Sequence, residues 1–254
     1  MNQQKISFSE MKMWAECPYK HKLKYIDNLS GFTGNEYTAF GTALHHACES
    51  LVENNHLLSA ENSFTQKFEQ ELSELDIDID NKLVTDMRPQ GLKIIPFILP
   101  ALQERFPNYE VVSIEEELMV PIPGFEKKFK GFIDLVLKTP DDKYHIIDWK
   151  TCSWGWNSRK KSDKVTNYQL ILYKHFFSLK HDVDPKKIET YFALLKRTAK
   201  TNNAEIFRIT SGSKKTENCI TFLENALKNI SNKMYIKNRL SCKYCDFYKT
   251  EHCT

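Results

Sequence analysis

The sequence contains little glycine, with only 8 such residues in a chain of 254. None of them stands in a GxxxxGK[ST] or GxGxxG pattern, and these patterns form the loops that bind the phosphates of nucleoside triphosphates and dinucleotides. We therefore expect neither a nucleotide-driven motor nor a dehydrogenase.

Long apolar runs and an excess of one charge are also absent. No stretch approaches the roughly 18 apolar residues of a membrane-spanning helix, and the opening residues MNQQKISFSEMKMWAEC contain no apolar core of a secretion signal. Lysine and arginine total 36 against 33 aspartates and glutamates, so the net charge is +3 and any basic surface must be local. These absences predict a soluble, cytoplasmic protein without a membrane partner.

The cysteine content argues against a disulfide-bonded protein. The chain has seven cysteines, an odd number, and chains without a secretion signal rarely hold a disulfide framework. We expect reduced thiols or metal ligands.

Helices are predicted over most of the first hundred residues. Residues 7–26 begin with Ser7 three positions before Glu10, the spacing of a capping box, and Pro18 predicts a bend or an end. Apolar residues at helical spacing predict a second helix over residues 42–55.

The next segment predicts a helical insert. Residues 56–82 are acidic and are expected to form a solvated helix. Their DIDIDN end is not a calcium loop, because Asn81 and Met87 stand where that loop needs glycine and glutamate. Residues 83–106 contain three prolines and predict a kinked helix.

From residue 109 the apolar period changes to that of β-strands. Three runs separated by turns predict an antiparallel meander: YEVVSIEEELMVPI, FEKKFKGFIDLVLKT and KYHIIDWKT. A helix over residues 163–181, two strands in IETYFALLKR and AEIFRITS, and a last helix over about residues 214–235 follow. The whole pattern predicts a single α/β domain with helical additions.

Acidic residues at the ends of two neighbouring strands carry the clearest chemistry. Asp134 ends one apolar run, and Asp148 and Lys150 end the next, with the last two on the same face of their strand. Two carboxylates can hold a hard divalent cation, and a lysine beside them can orient a water. This pattern is typical of phosphodiester hydrolysis, although an isolated DxK is more often a surface ion pair.

Four short motifs occur in a fixed order along the chain. They are GxxxHxxxE (Gly41, His45, Glu49), GxxD (Gly131, Asp134), DxK (Asp148, Lys150) and QxxxY (Gln169, Tyr173). In this order they resemble the PD-(D/E)XK nuclease superfamily, and within it the RecB-like branch, which includes the nuclease domains of RecB and AddB and the CRISPR-associated RecB-like exonucleases. The resemblance implies an α/β, restriction-endonuclease-like core with a mixed central sheet flanked by helices.

The resemblance also implies a division of the chain. A single RecB-like domain over residues 1–254 is expected to comprise N-terminal helices, a helical insert, the nuclease core, and a C-terminal helix with a cysteine-rich tail. The predicted limits of these four regions are residues 7–55, 56–108, 109–212 and 213–254.

The family's site roles carry over by motif position. His45, Asp134, Asp148 and the Trp149 carbonyl are implied ligands of Mg²⁺ or Mn²⁺, and Lys150 is the implied catalytic lysine. Gln169 and Tyr173 are implied to contact the DNA or the lysine side of the site, although a tyrosine at this spacing can equally pack into the core. His46 competes with His45 for the role of metal ligand. The run Glu115–Glu117 could also supply a ligand, but it ranks below the residues named above.

Four cysteines resemble the iron–sulfur branch of these nucleases, in which one cysteine precedes the core and three follow it. Cys17, Cys242, Cys245 and Cys253 are the implied ligands of a [4Fe–4S] cluster joining both ends of the chain, with structural Zn²⁺ as the alternative. Cys48 and Cys219 read as core residues, and Cys152 receives no role.

The resulting functional prediction is a metal-dependent DNA exonuclease that acts on single strands or ends, with a role in DNA repair and a helicase or recombination protein as partner. A structure-specific DNA endonuclease and a non-catalytic, metal-stapled DNA-binding module are the alternatives. Local basic clusters at residues 127–130 and 159–164 could follow a phosphate backbone, and Trp154 and Trp156 could stack on unpaired bases or pack under the sheet.

Overall fold

The computed structural model describes residues 4–254, which form two compact units. The described part of the first unit comprises residues 4–33, 118–131 and 212–254, and the second comprises residues 34–117 and 132–211. The predicted division into four consecutive regions remains a prediction.

The first unit contains the helices of both terminal regions. Its elements are β1 (Lys5–Ser7), α1 (Phe8–Glu16), α2 (Pro18–His21), a π-helical turn (Lys22–Ile26), α9 (Ser213–Ser231) and a 3₁₀ turn (Arg239–Tyr244). The predicted N-cap is confirmed, because the Ser7 side chain accepts a hydrogen bond from the Glu10 amide. Cys17 has extended backbone and separates α1 from α2, as the proline after it predicts.

The second unit is built on a mixed sheet. Its strands are β2 (Glu110–Pro121), β3 (Lys128–Thr139), β4 (Lys143–Cys152), β5 (Ile188–Lys196) and β6 (Ala204–Ile209), and β2 and β3 continue into the first unit. Within the second unit β3, β4, β5 and β6 are neighbours in that order, and β2 pairs with β3. The β3–β4 and β5–β6 pairs are antiparallel, whereas β4–β5 is parallel.

Helices lie against both faces of this sheet. They are α3 (Glu36–Asn54), α4 (Leu57–Ser73), α5 (Asn81–Ile94), α6 (Ile98–Arg105), α7 (Ser158–Lys161) and α8 (Lys164–His181). Side chains alternate along a strand, so Ile147 and Trp149 of β4 join the core with α3 to α6, while Tyr144 of the same strand packs on Phe177 of α8. The predicted mixed sheet flanked by helices is confirmed.

The insert is helical as predicted and is exposed over much of its length, but one face of its helix is buried. Phe64 and Phe68 of α4 are buried and pack against Phe40 of α3, with ring centroids 5.5 and 5.8 Å apart. Burying a phenylalanine contributes roughly 1.5–3 kcal/mol. The acidic residues of α4 cover only its outer face.

Gly91 allows α5 to pack closely on α4, because an added Cβ atom would lie 2.1 Å from Phe64 Cζ. We expect Gly91→Ala to lower the free energy of unfolding by about 1–3 kcal/mol, since the ring is buried and cannot move aside. Chemical denaturation measures this loss. The control is Gly31→Ala, whose Cβ would meet only ordinary contacts from 3.4 Å; an equal loss there would contradict the steric explanation.

Among the described residues, no helix combines the length and the apolar character needed to cross a membrane.

Candidate active site

The site begins where β3 and β4 stop pairing. Their ladder runs from Thr139↔Lys143 to Leu135↔Ile147. Beyond that point the Asp134 carboxylate accepts a hydrogen bond from the Trp149 amide, with Oδ2 2.6 Å from the nitrogen. Because the N–H and C=O of one residue in an extended strand point to the same edge, the Trp149 carbonyl also faces this gap.

Asp148 is the most buried carboxylate of the site, with 1% of its surface exposed. Its Oδ1 accepts a hydrogen bond of 2.7 Å from Gln169 Nε2, and its Oδ2 lies 2.6 Å from Lys150 Nζ. Burial raises the pKa of Asp148, although the Lys150 charge opposes the shift. Within residues 4–254, Oδ2 has no hydrogen bond of normal geometry beyond this ion pair, which leaves an oxygen suited to a cation.

Helix α3 brings a histidine to the same place. Gly41, His45 and Glu49 are spaced four residues apart and share one face of the helix. His45 Nδ1 lies 3.6 Å from Asp134 Oδ2. Burial alone would lower the pKa of His45, but the neighbouring Asp134 carboxylate outweighs it and raises the pKa. His46 is exposed and contacts Glu49, with Nδ1 and Oε2 3.3 Å apart.

Gln169 and Tyr173 support Asp148 from α8. Gln169 Nε2 lies 3.1 Å from the Tyr173 hydroxyl oxygen as well as 2.7 Å from Asp148 Oδ1. Tyr173 is buried, and burial raises the pKa of its hydroxyl. The structure therefore places Gln169 against the carboxylate and Tyr173 behind Gln169, on the core side.

Glu115 lies nearer to the site than its sequence rank indicated. It has a left-handed backbone conformation (φ 51°) within β2, which is uncommon for a residue other than glycine and interrupts the alternation of the strand. Partial burial, together with the charges of Asp134 and Glu49, raises the pKa of Glu115 to about 7. Glu116 instead contacts Lys180 and His181. No sequence pattern predicts the left-handed conformation of Glu115.

The raised pKa of Glu115 has a measurable consequence for stability. A carboxyl group with a raised pKa in the folded protein costs stability as the pH rises toward 7. In metal-free protein, Glu115→Gln should therefore raise the melting temperature at about pH 8 more than at about pH 5, as measured by thermal denaturation.

Glu116→Gln provides the matched control of opposite sign. Burial alone would raise the pKa of Glu116, but hydrogen bonds from Lys180 and His181 outweigh it and lower the pKa. This group stabilises the protein above its unfolded pKa, so Glu116→Gln should lower the melting temperature at about pH 8. The same sign for both variants would contradict the assigned environments.

The donor set suits a hard divalent cation. Carboxylate oxygens and a backbone carbonyl are ligands that Mg²⁺ and Mn²⁺ prefer, and the buried Asp148 Oδ2 has only the Lys150 ammonium group against it. Across residues 4–254, no three His, Cys, Asp or Glu side chains already stand in metal-binding geometry. Lys150 lies against Asp148, and His45 lies against Asp134. Both contacts place a nitrogen group beside a carboxylate.

The first unit contains a second cluster of chemical groups. A cavity of about 240 Å³ is lined by Cys17, Cys242, Cys245 and Cys253. The Asn238 amide donates to the Cys17 sulfur over 3.3 Å. In the part of the chain that the structure describes, none of the four forms a disulfide. The predicted core positions of Cys48 and Cys219 are confirmed, since both are fully buried, while Cys152 is half-buried at the end of β4.

Comparison with solved structures supports the fold. A structure from Eubacterium rectale, described as a "putative exonuclease", matches with a TM-score of 0.63 and 12% identity, covering 98% of this chain and 90% of that chain. A second, the crystal structure of SSO0001, has 15% identity and covers 91% of both chains, but its TM-score of 0.38 is too low to support an argument. No curated protein matches the sequence.

The sequence model of the PD-(D/E)XK nuclease superfamily matches residues 5–250, nearly the whole chain. The matched region includes Asp134 of β3 and Asp148 and Lys150 of β4. The prediction that these residues end their strands was wrong, because both strands continue past them. The chain belongs to the PD-(D/E)XK nuclease superfamily.

Proposed function

We propose that this nuclease is a divalent-metal-dependent DNA exonuclease that hydrolyses phosphodiester bonds on single strands or at DNA ends. The observation that carries the proposal is the convergence of Asp134, Asp148 and Lys150 where β3 and β4 separate. Family membership supports nuclease chemistry. The similar structure from Eubacterium rectale is described as a "putative exonuclease", which favours action at ends.

We assign the cation, Mg²⁺ or Mn²⁺, to Asp134, Asp148, His45 and the Trp149 carbonyl. When bound, it supplies positive charge that stabilises the negative charge developing on the phosphate. Glu115 and Glu49 extend the acidic set on the side of β2 and α3. Gln169 fixes the orientation of Asp148, and Tyr173 fixes Gln169 in turn.

Lys150 has the role of orienting the water. Its Nζ is partly exposed and lies 2.6 Å from Asp148 Oδ2. With a divalent cation bound at Asp148, the Lys150 ammonium group would be free to donate a hydrogen bond to the water or to a phosphate oxygen.

We also assign the chain to the RecB-like branch, on the order of its GxxxH, GxxD, DxK and QxxxY motifs. With that branch comes the proposal that the four cysteines bind a [4Fe–4S] cluster, with zinc as the alternative, because all four line one cavity. A helicase or recombination protein remains the predicted partner.

Linear and circular substrates test the function. End-labelled linear and closed circular single-stranded DNA are incubated with the purified protein in Mg²⁺, in Mn²⁺ and in EDTA. We expect degradation of the linear strand alone, only with metal. Cleavage of circles would favour the endonuclease alternative, and no cleavage of either substrate would favour the non-catalytic DNA-binding module.

A further inference from the structure

Trp154 is a large aromatic side chain left in the solvent beside the candidate active site. It is 76% exposed, and within residues 4–254 it has no ring contact, hydrogen bond or ion pair. Trp156 differs, because it packs on Phe192 and Phe207 with ring centroids 5.1 and 6.0 Å apart. The structure thus separates two tryptophans that the sequence could not tell apart.

The backbone holds Trp154 close to the chemistry. It follows Lys150 by four residues, so their Cα atoms are at most about 14 Å apart. The Cys152 and Ser153 carbonyls accept hydrogen bonds from the Arg197 and Thr198 amides, each over 2.8 Å. These bonds fix the chain just before Trp154 to the end of β5.

A second exposed aromatic lies beside Arg197. The guanidinium of Arg197 stands over the Tyr37 ring, 5.2 Å from its centroid, and Tyr37 is 51% exposed. Tyr37 precedes His45 by eight residues on one face of α3, a rise of about 12 Å. Both aromatics therefore lie within the length of a few nucleotides of the catalytic residues, at about 3.4 Å per stacked nucleotide.

The charge of Arg197 is available to a ligand. Arg197 Nη1 donates to the neutral Gln90 side chain over 2.9 Å, and in the part of the chain that the structure describes it forms no ion pair with a carboxylate. An unneutralised guanidinium over one exposed aromatic ring, with a second exposed aromatic nearby in the fold, matches the chemistry of an unpaired strand, whose phosphates bind the guanidinium and whose bases stack. A duplex keeps its base faces covered.

We propose that Tyr37, Trp154 and Arg197 form a stacking surface that binds an unpaired nucleic-acid strand next to the scissile phosphate. This inference rests on the proposed function and specifies its substrate as single-stranded. Trp154 and Tyr37 stack on bases, and Arg197 contacts the backbone.

Binding measured without cleavage tests the surface. In EDTA, anisotropy of a labelled oligothymidylate reports affinity. Trp154→Ala should weaken binding about 5- to 150-fold, the range for loss of one stacked base, whereas Trp154→Phe should remain near wild type. Arg197→Gln should reduce the slope of log affinity against log salt by about one. Binding of a blunt duplex should change little in Trp154→Ala.

The outcomes separate this inference from the proposed function. Wild-type affinity of Trp154→Ala for the oligothymidylate, or an equal loss for the duplex, would overturn the stacking surface even if the enzyme cleaves DNA. Strand binding that depends on Trp154 in a protein that never cleaves would support the surface while rejecting the exonuclease. Because Trp154 is exposed, Trp154→Ala and Trp154→Phe should have the melting temperature of the wild type. This measurement verifies that both variants are folded.

Discussion

Asp148→Asn should reduce cleavage of linear single-stranded DNA by at least about a thousandfold, which corresponds to the several kcal/mol that a metal ion supplies to such a reaction. The substitution keeps the size of the side chain and a group that can bond to Gln169, but removes the charge that faces Lys150. Initial rates in Mg²⁺ and Mn²⁺ measure the loss.

Loss of folding does not explain this expected loss of activity. In the metal-free protein the Asp148 carboxylate is buried at a cost, as its raised pKa indicates. The free energy of unfolding of Asp148→Asn in EDTA should therefore equal or exceed that of the wild type. Asp142→Asn is the control, because Asp142 occupies the turn at the opposite end of the same hairpin. Full activity of Asp148→Asn would reject the mechanism.

Lys150→Ala separates metal binding from water orientation. The substitution leaves the carboxylates in place and removes the ammonium group that lies against Asp148. Titration calorimetry should show Mn²⁺ binding at least as tight as in the wild type, whereas cleavage is lost. Weakened Mn²⁺ binding would instead indicate that Lys150 helps to hold the metal-binding side chains in position.

Cys17→Ala should remove the brown colour and iron expected of the purified protein, together with much of its stability. Cys17 and the three C-terminal cysteines are more than 220 positions apart in sequence. A cluster shared between them closes that loop, and loop-closure arithmetic for cross-links gives a stabilisation of about 5 kcal/mol. Absorbance, iron analysis and thermal denaturation measure the effects.

Cys48→Ala is the control for the cluster. Cys48 is fully buried in the core and does not line the cysteine cavity, so its variant should keep the metal at a modest packing cost. A colourless protein with one zinc per chain would retain the metal-mediated link but reject the cluster. Metal content unaffected by Cys17→Ala would reject the link itself.

The sequence predicted those parts of the site that follow from regular structure. Asp134 lies on β3, and Asp148 and Lys150 lie on the neighbouring β4, where the period of two puts the last two side chains on one face. It ranked Glu115 below the main set and did not separate it from its two neighbours, because a left-handed residue inside a strand breaks the alternation.

Two other features depended on tertiary packing. The buried face of α4 was hidden by its acidic composition, although Phe64 and Phe68 are one helical turn apart. Trp154 and Trp156 flank Gly155, whose φ of +130° lies in the region that favours glycine. Their spacing of two residues does not show that only Trp156 packs on the sheet.

The interrupted ladder between β3 and β4 also gives this protein a built-in spectroscopic reporter. The Trp149 N–H bonds to the Asp134 carboxylate in place of a strand partner, so its amide resonance depends on what else that carboxylate binds. Titration with Mg²⁺ should shift the ¹⁵N and ¹H signals of Trp149 while the amide of Ile147, in the regular ladder, moves little. Occupancy of the proposed metal site can thus be followed in solution without substrate.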